Sequence, residues 1–483
     1  MRFKRRHSWF MLVLLAMLAL PVAAQQTPAQ HQVFLPIISG PPAPLSPFGI
    51  DLRTYAGPEA LAYVAKAQPK WVRAGDALWS DIEPVRGGGY RWEALAALDA
   101  NVKRIRSINS QIEPTIVIQR SPSWAQSIPG RLCSPPKPEY LDDFAQFLKA
   151  LAQHFSEADL RVNLYEIWNE PDVAPSDTSD DMGMGCWMDK AAPRASGAAY
   201  GRALLRAAPA IRSVNPSATV MGGALLYDWP NDRLSQDFLN GMLDTGAGGV
   251  INAVSFHAYG EWGASDLLVN KTMRLRAILD AYHLPNMQLF ATEVATVCGG
   301  ATPDTCLPSF EQWKLRQANY AARIYPQALA LELKGAFWFT LVSGVPGFYN
   351  SQLIDQQADS LAPRDAYNAF INSATLLQGA RYVGQPLVSP PSGQANAVRE
   401  LIFRKPHSIW APSLPSTLHV LWQQQFDATP QSYPISVPPG ATAVCYTRLD
   451  LKDWVRFDCS DKNSDGMIWF GVIDFPQYVE VLD

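Results

Sequence analysis

Two stretches of this chain end an apolar run in a glutamate, and packing a core explains neither acid. "YEIWNEPD", Tyr165 to Asp172, carries Glu166 and Glu170, with Trp168 and Asn169 beside the second. "LFATEVA" carries Glu293 in the same pattern. Glu170 is expected to end a fourth strand, which Pro171 stops by removing a backbone donor. Glu293 is expected to end a seventh. Two such acids on strands of one closed barrel face each other across its mouth, where strand ends and their loops carry chemistry. Paired carboxyls suit glycosidic hydrolysis: one protonated acid for the leaving oxygen, one carboxylate beside the anomeric carbon. Glu166 shares the face of Glu170 one layer deeper, and is expected to be a buried acid paired with a cation.

The elements that would position these acids are visible in the patterning. From Phe48 onward, short apolar runs alternate with amphipathic stretches. The strand candidates are "FGIDL", "WVRAG", "PTIVIQ", "NLYEIWNE", "TVMGGALL", "AVSFHAYG", "LFATEVA" and "GAFWFTL". Between them lie segments such as "GPEALAYVAKA" and "YLDDFAQFLKALAQHF", whose apolar residues recur every three or four positions, as a helix buried on one face requires. Strands alternating with helices in this way predict a (β/α)8 TIM barrel. A doubly wound sheet would carry a Gly-rich phosphate turn after its first strand, and "FGIDLRTYAG" has none. Past residue 380 the helical pattern stops. "STLHVLWQQQ", "TAVCYTRL", "WVRFDCS" and "MIWFGVIDF" predict a small all-β, sandwich-like C-terminal domain. The expected organisation is a signal peptide over 1–24, a Pro-rich lead-in over 25–47, a catalytic barrel over 48–378 and the β domain over 379–483.

Bulk properties narrow the function class. A chain of 483 residues, 48% hydrophobic and 17% charged, is long enough for a barrel and a second domain. Its net charge of −4 argues against a nucleic-acid surface. The 15 Trp and 17 Tyr supply flat faces of the kind that sugar rings stack on, although large cores use them too. "MRFKRR", then "WFMLVLLAMLAL", then "PVAA" has the layout of an export signal, and its apolar run is too short to span a bilayer. Export makes the six cysteines a disulfide set: Cys298 with Cys306, Cys445 with Cys459, and Cys133 with Cys186. No C-x-x-C is present and the seven His are scattered, so no metal and no organic cofactor is expected.

"EIWNEP" on strand four with "ATE" on strand seven resembles the clan A glycoside hydrolases, retaining enzymes built on (β/α)8 barrels. "WSDIEPVRGGGYRWEALAALD" after strand two is similar to the corresponding segment of family 39, and "VSFHAYG" and "GAFWFT" look like the sixth and eighth strands of the clan. The resemblance covers Phe48 to about residue 375. It implies that Glu170 is the general acid/base and Glu293 the nucleophile, about 5–5.5 Å apart. It further implies that Asn169 bonds the sugar 2-OH, that Arg73 keeps Glu293 ionised, that Tyr259 donates near Glu293 with His257 beside it, and that Trp338 is the floor under the sugar. Each has a plainer alternative: Arg73 neutralising Glu166, His257 as a core histidine, Trp338 as packing. The expected partner is a carbohydrate substrate, and the expected location is outside the cytoplasm. A carbohydrate-binding barrel without catalysis and a transglycosylase using the same two acids are the rival functions.

Three further features bear on binding and modification. Trp79 and Trp124 follow strands two and three and suit either outer sugar subsites or the core. "DKNSDG", Asp461 to Gly466, matches the start of a calcium loop, but Val472 stands where the acidic twelfth ligand belongs, so a polar turn is expected. "NKT" at Asn270 is a formal glycosylation acceptor.

Overall fold

The computed structural model describes residues 46–483, except 54–56, 179–183, 227–232, 262–265, 299–305, 307–308, 344–349, 357–359, 386–396, 426–428 and 449–453. The expected export signal and nearly all of the lead-in lie outside the described residues.

Eight parallel strands close into a barrel: β1 (Phe48–Asp51), β2 (Trp71–Leu78), β3 (Glu113–Gln119), β4 (Leu164–Ile167), β5 (Thr219–Leu225), β6 (Ala253–Glu261), β7 (Gln288–Val297) and β8 (Gly335–Trp338). β1 pairs with both β2 and β8, which closes the ring. Helices follow as their periodicity requires. Leu141–His154 buries Phe144, Phe147, Leu148 and Leu151 on one face, with Asp142 and Asp143 at its positive N-terminal end and His154 at the other. Sequence patterning misses the helix Asp365–Leu376, which follows β8 after a short hairpin of β9 (Ile354–Gln356) and β10 (Leu361–Pro363). Its Asn368, Asn372 and Ser373 dilute the apolar repeat, and packing against the neighbouring helix Phe310–Ala330 overrides that weak local preference.

The strand period of two stacks the barrel interior in layers. At the bottom, Trp71, Leu164, Met221, Ala253, Phe290 and Phe337 form one apolar cluster. Two residues further along their strands come Arg73, Glu166 and Thr292, all fully buried. The acids of the mouth stand above this ionic layer.

Beyond the barrel, antiparallel strands form a six-stranded sheet in the order β11 (Arg381–Tyr382), β12 (Val398–Lys405), β13 (Ser416–Gln423), β18 (Gln477–Leu482), β15 (Ala443–Arg448) and β16 (Trp454–Asp458). A second sheet pairs β14 (Gln431–Ser436) with β17 (Met467–Val472). Alternation gives the larger sheet two apolar faces. Leu418, Val420, Trp422, Tyr446 and Tyr478 join the core of the barrel. Leu421, Cys445, Val479 and Val481 pack with Ile435, Ile468 and Phe470 of the two-stranded sheet. Among the described residues no helix is long and apolar enough to cross a membrane.

Candidate active site

Each acid reaches the mouth through an irregularity in its strand. β4 ends at Ile167, three residues before Glu170, so Glu170 sits in the loop and not on the strand itself. Trp168 and Glu170 adopt positive φ (74° and 51°), which costs about 1–2 kcal/mol per non-glycine residue. The surroundings hold the turn: the Trp168 backbone N–H donates to Ile118 O at 2.8 Å, and its indole N–H donates to Gly185 O at 2.8 Å. The result is that two consecutive side chains, Asn169 and Glu170, both point into the barrel. β7 reaches the same outcome by a bulge. Its register shifts against β6 and β8 around Thr292 and Glu293, so these neighbours both enter the interior, where a regular strand would turn one outward. β5 is also irregular. Gly223, at φ 129°, lies so close to Ser255 that a Cβ there would come 2.4 Å from its carbonyl oxygen.

Arg73 is the hub of the ionic layer. Its Nε donates to Glu166 Oε2 at 2.8 Å, its Nη2 to Asn169 Oδ1 at 2.8 Å, and its Nη1 to Asp51 Oδ2 at 3.2 Å and to Glu293 Oε1. Arg73 therefore serves Glu166 and Glu293 together, and the two alternatives for it merge. Burial alone would weaken its charge; Glu166, Glu293 and Asp51 outweigh burial and the nearby Arg53, and hold the guanidinium protonated. Glu166 is the buried, cation-paired acid expected, completed by the Thr292 hydroxyl at 2.8 Å.

Glu293 receives Arg53 Nη2 as well as Arg73 on Oε1, and the Tyr259 hydroxyl on Oε2. Glu170 has a different environment. Its Oε1 lies 2.7 Å from His257 Nδ1, which is also 3.4 Å from Glu293 Oε2. Burial, then the charges of Glu293 and Asp172, push the Glu170 carboxyl well above the usual carboxylate range, against the pull of Arg53 and Arg73. Burial and the charges of Arg73, Arg53 and Lys271 hold the His257 imidazole well below its usual pKa, so it is neutral. Lys271 reaches this position from a helix and donates to the carbonyls of His257, Leu225 and Leu226. Burial and the two glutamates raise the Tyr259 phenol, which keeps it a donor.

One ligand atom from each of Glu170, His257 and Glu293 lies within 4.8 Å of the others. This spacing would admit a cation, but the chemistry opposes one. Both Glu293 oxygens already accept hydrogen bonds, and two guanidiniums adjoin the cluster. The pair instead suits a proton donor facing a fixed carboxylate.

Trp338 ends β8 fully buried, its indole N–H on Ser351 O at 2.8 Å, so in this structure it is packed into the wall below the mouth. Trp79 is core, bonded to Glu83 and packed on Phe144 and Phe147. Trp124 is half-buried, and its N–H is committed to Glu83 O. "DKNSDG" is a polar turn: Asp461 accepts from the backbone N–H groups of Gly440, Asp465 and Gly466. Asn270 lies in the helix Asp266–Ala281, with the Thr272 of its acceptor motif buried. Sequence patterning misses Asp51 and Arg53, because charges that close a first strand, as in "FGIDLR", read as an ordinary strand end. The three disulfides join the expected partners, and Cys133–Cys186 ties the loop after β3 to the loop that follows Glu170.

Neither a family model nor a curated protein matches this sequence. Solved structures match it in shape. A family 39 glycoside hydrolase from Bacteroides cellulosilyticus superposes with a TM-score of 0.60 at 16% identity, covering 91% of this chain and 81% of that one. It has the fold of the clan A glycoside hydrolases. An α-L-arabinofuranosidase from Thermotoga maritima, solved as an arabinose complex, matches with a TM-score of 0.59 at 14% identity, over 91% and 98% of the two chains. A conserved exported protein from Bacteroides fragilis matches with a TM-score of 0.63 at 14% identity, over 91% and 97%. At these identities, what the clan A structures share with this chain is the barrel and its arrangement.

Proposed function

We propose that this protein is an exported retaining glycosidase that cleaves O-glycosidic bonds of a poly- or oligosaccharide, with Glu170 as acid/base and Glu293 as nucleophile. The observation that carries this reading is the approach of the two buried carboxyls, with an oxygen of each within 4.8 Å, in opposite electrostatic surroundings. Inverting enzymes hold theirs about 6.5–9.5 Å apart to admit a water between them. In the first step Glu293 attacks the anomeric carbon, Glu170 gives its proton to the leaving oxygen, and the glycosidic bond breaks. In the second, water adds to the same carbon, its proton passes to Glu170, and the bond to Glu293 breaks. Esterifying Glu293 removes the charge that helps to raise Glu170, so the same group turns from acid to base between steps.

The remaining residues fit this scheme. Because Asn169 Oδ1 accepts from Arg73, its amide N–H groups are left for the sugar 2-OH. Tyr259 orients Glu293 and neutral His257 orients Glu170, whereas Trp338, buried against Tyr320 with its N–H on Ser351 O, packs the wall and is not the floor under the sugar. Three disulfides, the exported neighbour among the solved structures and the basic-then-apolar segment over 1–24 support export. A panel of nitrophenyl glycosides and polysaccharides, with products followed by NMR, tests the proposal. Turnover with retained anomeric configuration is expected, and Glu293→Ala should abolish it while circular dichroism stays native. Near-normal turnover in that variant would remove Glu293 as nucleophile.

A further inference from the structure

We propose that Arg53, which no sequence motif indicated, is a positioning residue that acts through Glu293, as a second cation keeping that carboxylate a good leaving group when the sugar is released. The inference rests on the glycosidase reading above. In the release step, water adds to the anomeric carbon and gives a proton to Glu170. The ester bond to Glu293 breaks, and its electron pair returns to the carboxylate. A carboxylate stabilised as an anion leaves faster.

The geometry points to Arg53 for this task. Arg73 alone is divided among three carboxylates, Glu166, Asp51 and Glu293, and also holds Asn169. Its one positive charge cannot balance three acids in a buried layer. Arg53 brings the second charge from just past β1, and it is held from several sides. Its backbone N–H donates to Asp51 Oδ1 at 2.8 Å, its Nε to Asp51 Oδ2 at 3.0 Å, and its Nη1 lies 3.5 Å from Asp76 Oδ1. The Phe339 ring lies 5.9 Å from the guanidinium carbon. So fixed, Nη2 meets the same Glu293 oxygen that Arg73 bonds. Among the described residues, the charged and titratable groups around Glu293 are Asp51 and Arg53 from the β1 side, Arg73 and Asp76 from β2, Glu166 and Glu170 from β4 and its loop, and His257 and Tyr259 from β6. β8 contributes none; its residues are Gly335, Ala336, Phe337 and Trp338. Removing Arg53 leaves the acids of this layer in greater excess, and takes one of the two guanidinium contacts from the Glu293 anion formed on release.

Two variants test the proposal on whichever nitrophenyl glycoside the wild type cleaves best. In Arg53→Gln release should become the slow step, seen as a burst of nitrophenol with kcat and KM falling together. Arg53→Lys keeps the charge and should abolish most of the burst and recover most of kcat. No burst in Arg53→Gln, or an equal burst in both variants, overturns the proposal. If Arg53→Gln does not fold, Arg53→Met carries the same test, and failure of both to fold assigns Arg53 to stability and overturns the proposal. A wild type that turns over no glycoside would instead remove the glycosidase reading itself, a result separable from a missing burst.

Discussion

At the scale of residues, two glutamates of identical chemistry are given opposite surroundings by their neighbours. Glu293 is met by two guanidiniums and a phenol, whereas Glu170 meets a neutral imidazole and the charges of Glu293 and Asp172. The sign of the pH dependence follows. Glu170 must hold its proton to act as acid, and its pKa lies above the ordinary carboxylate range. kcat/KM should therefore persist past the pH at which an exposed glutamate ionises, and fall only as pH rises through the raised value. In Glu170→Ala that basic limb should disappear. In kcat/KM, which reports the first step, the variant should lose roughly 10²–10⁴-fold on natural substrates, but far less on dinitrophenyl glycosides, whose leaving group needs little protonation. Equal losses on both substrate classes would contradict the acid role. Glu170 and Glu293 were legible because each is an acid that an apolar run does not need. Arg53 was not, because a charge after a first strand reads as the ordinary end of a strand until its distance to Glu293 is known.

At the scale of elements, both acids are aimed by local departures from strand geometry: an αL turn after β4 and a bulge in β7. Alternation in the sequence revealed the eight strands, but a bulge has no signature in an apolar run, so the side-by-side entry of Thr292 and Glu293 could not be read there. The turn after β4 was hidden for the same reason, since "YEIWNEP" reads as one continuous strand. Thr292 gives a direct test of the ionic layer. Thr292→Val keeps the shape and removes the hydroxyl bonded to Glu166, leaving a buried carboxylate oxygen without that donor. The expected destabilisation is about 1–3 kcal/mol by urea unfolding, with kcat/KM falling as Arg73 turns toward Glu166. Unchanged stability would show that the layer does not depend on this bond.

At the scale of the whole molecule, the C-terminal sheet is a buttress: one of its faces belongs to the barrel's own core. Its strands were partly visible from their alternation, but nothing in them indicated which partner each face covers. Arg323, buried on the helix Phe310–Ala330, fastens the join by donating to the carbonyls of Gln423, Gln424 and Asp474. The intact protein should unfold in one calorimetric transition. Arg323→Met should lower its stability by roughly 1–3 kcal/mol through the lost donations to the Gln423 and Gln424 carbonyls, while the pH profile of turnover is unaltered. Two resolved transitions in the wild type would show that barrel and sheet are independent. The central claim is that distant acids, brought together by this closed barrel, perform a double displacement. Its most direct test is mass spectrometry of the protein after reaction with an activated 2-deoxy-2-fluoro glycoside, which slows release of the covalent intermediate. The account predicts one sugar per chain, on the peptide that contains Glu293. Turnover of the parent glycoside with no adduct, or with the sugar on another residue, would contradict it.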